Sequence, residues 1–138
     1  MIIKKLTLML LCSFYLFSQS LWARSLAPET VAGATTVTTK RAKSLMNQGV
    51  IFVDVRGIKY YADEHIQWAV HLDVKSTLTE ASLLKVVAKD KPVVFYCNGE
   101  WCKASSIASQ KAVAWGWTKV FYYRGGIPEW EKANLPLE

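Results

Sequence analysis

Charge is scarce in this chain: Asp, Glu, Lys and Arg make up 20% of 138 residues against 51% hydrophobic residues, a balance that excludes a disordered chain. It also has no internal repeat, no low-complexity stretch and too little length for several domains, which excludes fibrous, solenoid and multidomain architectures. Basic residues never gather into a run with interleaved aromatics. The lysines are scattered from Lys59 to Lys132, so nucleic acid is not an expected partner. Cysteine occurs only at positions 12, 97 and 102, and no histidine lies close in sequence to the last two. Two thiols alone leave a zinc site short of ligands, so neither a metal nor another cofactor is expected. One packed domain with one site is what remains.

Residues 1–23 stand apart. Lys4 and Lys5 precede an apolar run from Leu6 to Leu21, broken only by Thr7, Ser13, Ser18, Gln19 and Ser20, and the small residue Ala23 follows. This is the layout of a secretory signal peptide, so cleavage and export to the periplasm are expected, with no stable membrane span afterwards. The alternative is an uncleaved N-terminal membrane anchor, since a run of 16 residues falls just short of a bilayer span. Leu21 is larger than the residue preferred two places before a cleavage point, which leaves the point itself open. Cys12 follows Leu11 in mid-run, a place for an apolar filler rather than a lipid-bearing cysteine. Loss of Lys4 and Lys5 leaves 15 basic and 11 acidic residues, so the formal +6 of the whole chain falls to +4. Cys97 and Cys102 would then sit in an oxidising compartment.

Residues 24–37, rich in Ala, Thr, Pro and Gly without a period, read as a linker or extended lead-in. The domain is placed over 38–138. Thr38 or Thr39 caps a helix to Asn47 with Ala42, Leu45 and Met46 on one face, and Gly49 suits the left-handed residue that ends it. Strands are expected over 50–53, 69–72, 93–96 and 120–123, and helices over 79–88, 104–115 and 127–130. The strand runs are too apolar to be half solvated, and their alternation with helices predicts an α/β fold: a central parallel sheet flanked by helices on both faces. Ligands of such sheets bind beyond the C-terminal strand ends. Asp54, Arg56 and Cys97 lie there. The aromatic group Trp115, Trp117, Phe121, Tyr122, Tyr123 and Trp130 reads as core and rim packing.

A cysteine between a buried strand and a helix N-terminus meets backbone N–H groups and the positive end of a helix dipole, which favour a thiolate. The loop after Cys97 runs through Asn98, Gly99, Glu100, Trp101, Cys102 and Lys103. Asn98 and Gly99 tolerate unusual backbone angles, so amides can turn inward around the sulfur. Lys103 adds a positive charge at the loop's far end, and Ser105 and Ser106 offer donors in the first helical turn. The plain alternatives are a small buried Cys97, an inward-packing Cys102 and a strand-end salt bridge between Asp54 and Arg56.

These residues resemble a known family. Asp54-Val55-Arg56 after an apolar strand, His65-Ile66 with Ala69 and Val70 shortly after, Val93 to Cys97 before a loop, and Arg124-Gly125-Gly126 with Trp130 together look like a rhodanese-like domain over about residues 38–135. The resemblance implies a sulfurtransferase or sulfane-sulfur carrier. Cys97 would accept sulfur from a small sulfur-containing donor as a persulfide and pass it to cyanide, a thiol or a protein sulfur acceptor. Residues 98–103 would form the cradle, with Asp54, Arg56 and Ser105 supporting it, and His65 would be architectural.

The loop departs from the family pattern. Its basic residue, Lys103, comes one place later than in members that use thiosulfate, a length nearer the related phosphatases and arsenate reductases. Those close the loop with arginine, whose bidentate grip on an oxyanion lysine does not reproduce. Glu100 and Trp101 bring negative charge and bulk toward a site meant for a dianion. Gln67 and Trp68 stand where relatives turn with proline and glycine, which predicts a reshaped loop. Cys102 adds a mechanism of its own: attack on a Cys97 persulfide would release sulfide and form a disulfide. A dithiol redox protein using Cys97 and Cys102, and a silent binding module, are therefore the alternatives.

Overall fold

The structure, a computed structural model, describes residues 25–138; the signal peptide or anchor expected over 1–23 lies outside them. Three strands of four residues form the centre: β2 (Ile51–Asp54), β4 (Val93–Tyr96) and β5 (Val120–Tyr123). Two shorter strands, β1 (Ala34–Thr36) and β3 (Val70–His71), form the edges of an all-parallel sheet ordered β1-β5-β4-β2-β3. All of β4 is buried, which requires cover on both faces. Helices α1 (Thr39–Asn47), α2 (Ile58–Asp63), α3 (Glu80–Val86), α4 (Ala104–Ala114) and α5 (Gly126–Lys132) connect and follow the strands.

The two-residue period of β4 divides the core. Val93 and Phe95 pack with Leu83 of α3 and Ala108 and Ala112 of α4, while Val94 and Tyr96 pack with Leu45 of α1 and Ile127 and Trp130 of α5. The sheet therefore has helices on both faces, as the sequence pattern predicts. Trp130 is fully buried against Phe52 and Tyr123, and its Nε1 donates to the Pro136 carbonyl at 2.9 Å. Ser105, Ser106, Ala108, Ser109 and Ala112 are the buried side chains of α4. Their small size lets the helix lie close on the sheet.

Register aligns the strand ends. Asp54 pairs with Tyr96 and Tyr96 with Tyr123, so Val55, Cys97 and Arg124 leave the sheet side by side. The residues just past one row of strand ends therefore form the site.

Several boundaries differ from those expected. The strand over 69–72 contracts to Val70–His71, and the helix over 79–88 to Glu80–Val86. Thr79 caps that helix by accepting the Ser82 N–H at 3.0 Å, and Val87 turns extended. Helix α2 was not anticipated; it is six residues with no buried side chain, so it carries no apolar period. The lead-in is extended but built into the fold: β1 pairs with Val120–Tyr122, Ala27 and Val31 are buried, and the Tyr122 hydroxyl donates to the Pro28 carbonyl at 2.8 Å. The expected start at 38 thus falls four residues after the first strand begins. An edge strand needs only backbone pairing, and Ala-Thr-Thr gives no pattern to read. Trp68 adopts φ 67, the left-handed region that glycine favours, and its N–H donates to Glu138 Oε1 at 2.8 Å.

Candidate active site

Cys97 follows β4 directly, and the next six residues loop into α4. Ile127 N–H donates to the Cys97 carbonyl at 3.1 Å, and Cys102 N–H donates to the Gly99 carbonyl at 3.0 Å. Gly99 has φ 95 and lies beneath Pro128, so the loop is clamped between the N-terminal ends of α4 and α5. Lys103, the residue before α4, provides no side-chain cap, which leaves the first amides of that helix to the loop. One of them, Ser105 N–H, donates to Cys97 Sγ at 3.4 Å, and Ser105 Oγ lies 3.2 Å from the same sulfur. Ser105 is therefore at the sulfur, as expected; Ser106 instead donates to the Lys103 carbonyl.

Support comes from beneath. Arg56 Nη2 meets Asp54 Oδ2 at 2.7 Å, and Arg56 Nε donates to both carboxylate oxygens at 3.0 and 3.1 Å. Asp54 is fully buried, and the Tyr96 hydroxyl donates to it at 2.8 Å while accepting the Ile66 N–H. Arg56 Nη1 then donates to Asn98 Oδ1 at 3.0 Å, so the ion pair grips the first residue of the loop. Burial works against the Arg56 charge, but its bonds to Asp54 prevail and hold the guanidinium above its ordinary pKa. His71 Nε2 meets the Arg56 carbonyl at 2.7 Å, and His65 stacks on Tyr61 with Nδ1 at the Tyr61 carbonyl. Both histidines touch backbone and serve the architecture.

Two expected charges lie elsewhere. Lys103 Nζ bonds Ser25 Oγ at 2.6 Å, on the lead-in, so it does not close the cradle. Glu100 pairs with Arg124 at 3.4 Å and borders a neighbouring cavity with Pro128 and Glu129. Arg56 instead brings positive charge to Cys102, and Lys75 lines the same cavity.

The two thiols behave unequally. Both are free, and Cys97 Sγ donates to the Cys102 carbonyl at 3.3 Å. The neighbouring Cys102 thiol, together with burial, pushes the Cys97 thiol far above the usual range, and the donors of Ser105 only partly offset this. The nearness of Cys97 lowers Cys102 to about 6 against its own burial, helped by the amides of Asn98 and Ala104 and the charge of Arg56. The two thiols titrate as a pair, with the Cys97 side pushed up and the Cys102 side held down. Burial thus works against the thiolate expected at Cys97, and the half-buried Cys102 is the more acidic of the two. Alkylation with iodoacetamide is expected to modify Cys102 first, with a midpoint near pH 6 rather than the about 8.5 of a free thiol. Peptide mapping across pH 5–9 checks this, and a midpoint in the ordinary range would contradict it.

Beside Cys102 opens a cavity of about 490 Å³ lined by Val55, Arg56, Tyr60, Lys75 and Trp101 among others. Sequence reasoning missed Tyr60, Asp73 and Lys75. They come from the segments after β2 and β3, so the strand-end rule was the signal that points to them. No cluster of three or more His, Cys, Asp or Glu able to hold a metal occurs among the described residues, and no helix among them is long and apolar enough to cross a membrane.

Comparison with known proteins matches the sequence profile of the rhodanese-like domain to residues 38–133. The chain belongs to the rhodanese-like domain family. Over 100 residues, this rhodanese-like domain is 33% identical to the thiosulfate sulfurtransferase GlpE of Pseudomonas savastanoi pv. phaseolicola, covering 72% of this chain and 88% of that one. It is 30% identical over 102 residues to GlpE of Haemophilus influenzae, covering 74% and 92%. The crystal structure of the BH2092 protein from Bacillus halodurans superimposes with a TM-score of 0.68 at 27% identity, over 76% of this chain and 77% of that one. The human single-domain sulfurtransferase TSTD1 superimposes with a TM-score of 0.60 at 22% identity, over 73% and 96%, which shows the shared fold.

Proposed function

We propose that this rhodanese-like domain is a sulfurtransferase or sulfane-sulfur carrier that stores the transferred sulfur as a persulfide on Cys97. The observation that carries the reading is the place of Cys97 Sγ: directly past β4 and 3.4 Å from an N–H in the first turn of α4, at the base of a loop whose Asn98, Trp101 and Cys102 line a 490 Å³ cavity. The relatives named thiosulfate sulfurtransferase support it. A donor surrenders its outer sulfur to the site and departs as the shortened anion, and a thiol or cyanide then removes that sulfur and restores the cysteine. The cavity wall favours a persulfide R–S–SH, neutral or singly charged at its reacting end, over the thiosulfate dianion. Arg56 is already neutralised by Asp54, and Lys75 lies on the same wall as Asp73, so little excess positive charge faces the substrate. The place of action is proposed as the periplasm, on the pattern of residues 1–23 alone.

Intact mass after treatment with inorganic polysulfide tests the reading. A gain of one sulfur that maps to Cys97 and is removed by cyanide is expected; no sulfur on Cys97 at any donor concentration overturns it. A dithiol redox role is the second reading, favoured by the closeness of the two free cysteines, Cys97 Sγ being 3.3 Å from the Cys102 carbonyl, and it would appear as loss of two hydrogens with no sulfur gained.

A further inference from the structure

Cys97 is 1% exposed, and its side chain is absent from the walls of the cavities on either side of the loop. Cys102 is half-buried and lines the larger of the two, across from Tyr60 and Lys75. A donor that enters this cavity therefore meets Cys102 and not the residue that stores the sulfur. Cys97 Sγ donates to the Cys102 carbonyl at 3.3 Å, which sets the two residues side by side, so no third group has to carry sulfur between them.

We propose that Cys102 is the port of the site: it takes the sulfane sulfur from a donor in the cavity and relays it inward to Cys97, and returns it by the same route to the acceptor. This rests on the reading that Cys97 stores the sulfur. In the first step the Cys102 thiolate attacks the outer sulfur of a donor R–S–SH. A bond forms from Cys102 Sγ to that sulfur, the donor S–S bond breaks, and the electron pair leaves with RS⁻ into the cavity. In the second step Cys97 Sγ attacks the same outer sulfur. The bond from Cys102 Sγ breaks, and the Cys97 thiol proton, held at the Cys102 carbonyl, passes to Cys102 Sγ as it leaves. The transferred sulfur keeps its oxidation state throughout, so no oxidant or reductant is consumed. Arg56 and the amides of Asn98 and Ala104 favour the charge on Cys102 before the first step. The gain is protection: a sulfur held on Cys97 is shielded from adventitious thiols.

Rapid-quench mass spectrometry with inorganic polysulfide tests the relay on the wild type, Cys97→Ser and Cys102→Ser. Cys97→Ser is expected to accumulate one sulfur on Cys102, and Cys102→Ser to load Cys97 at least tenfold more slowly than the wild type. Cys97→Ala and Cys102→Ala, checked for native circular dichroism, guard against a serine that disturbs the loop. Loading of Cys97 at the wild-type rate without Cys102 overturns the relay. Absence of sulfur on Cys97 in the wild type overturns the storage reading, and the relay with it, so the two failures are separable.

Discussion

Gly126→Ala is expected to cut the rate of sulfur loading about a hundredfold while the protein still folds. Gly126 has φ 58 at the start of α5, and an added Cβ would fall on the Cys97 carbonyl oxygen and 2.7 Å from the Gly99 amide nitrogen. Both contacts are to backbone, so no flexible side chain can yield. The loop must move instead, and with it the sulfur and the Ser105 N–H that meets it. A displacement of about 1 Å at reacting atoms costs on the order of 10²-fold in rate. Gly49→Ala is the control. Gly49 also has a positive φ, 79, but nothing lies within 4 Å of its added Cβ, so it carries the backbone strain, about 1 kcal/mol, without touching the site. Equal loading rates in the two variants would show that the contact between α5 and the loop does not position the sulfur.

Asp54→Ala is expected to be the most destabilising substitution at the site. It removes the partner of a guanidinium whose side chain is 5% exposed and leaves the Tyr96 hydroxyl without its acceptor. Breaking a buried pair on one side costs about 3–5 kcal/mol, because the remaining charge stays out of water. Against a total stability of about 5–15 kcal/mol, that is a large fraction, and the expected fall in melting temperature is of order 20 °C. Tyr96→Phe removes one hydrogen bond and keeps the ion pair, so it should cost about 1–2 kcal/mol. Thermal denaturation of the two variants checks the order; an Asp54→Ala protein as stable as Tyr96→Phe would mean that Arg56 finds solvent in the folded state. Asn98 loses its anchor in Asp54→Ala as well, so loading should fall in whatever fraction remains folded.

The elements whose residues are apolar on both faces were legible in the sequence. The runs at Val93 and Val120 match β4 and β5 residue for residue, since four apolar or aromatic residues in a row, all buried in β4 and all but Phe121 in β5, leave few other conformations. The short edges were not: Ala34–Thr36 is held by pairing to β5, and Val70–His71 by pairing to β2, which are properties of the neighbours rather than of the segments. Within the site, Asp54, Arg56 and Ser105 were found from strand ends and a helix start, and the structure brings all three to the loop. Lys103 and Glu100 were misplaced for a common reason. Each is a long exposed side chain, and its direction is set by partners far along the chain, Ser25 and Arg124.

By itself the sequence determined the family resemblance, the covered parallel sheet and the position of Cys97 past a central strand. Local apolar patterning and the order of strand, loop and helix suffice for these. Only the tertiary structure decided which thiol is the more acidic and which one faces the cavity. Those depend on burial and on hydrogen-bond partners: the Asn98 and Ala104 amides, Arg56 from another strand end, and the α5 backbone that presses on the loop. A thiol's acidity is a difference in solvation between its two states, and the chain acquires that difference only when it folds.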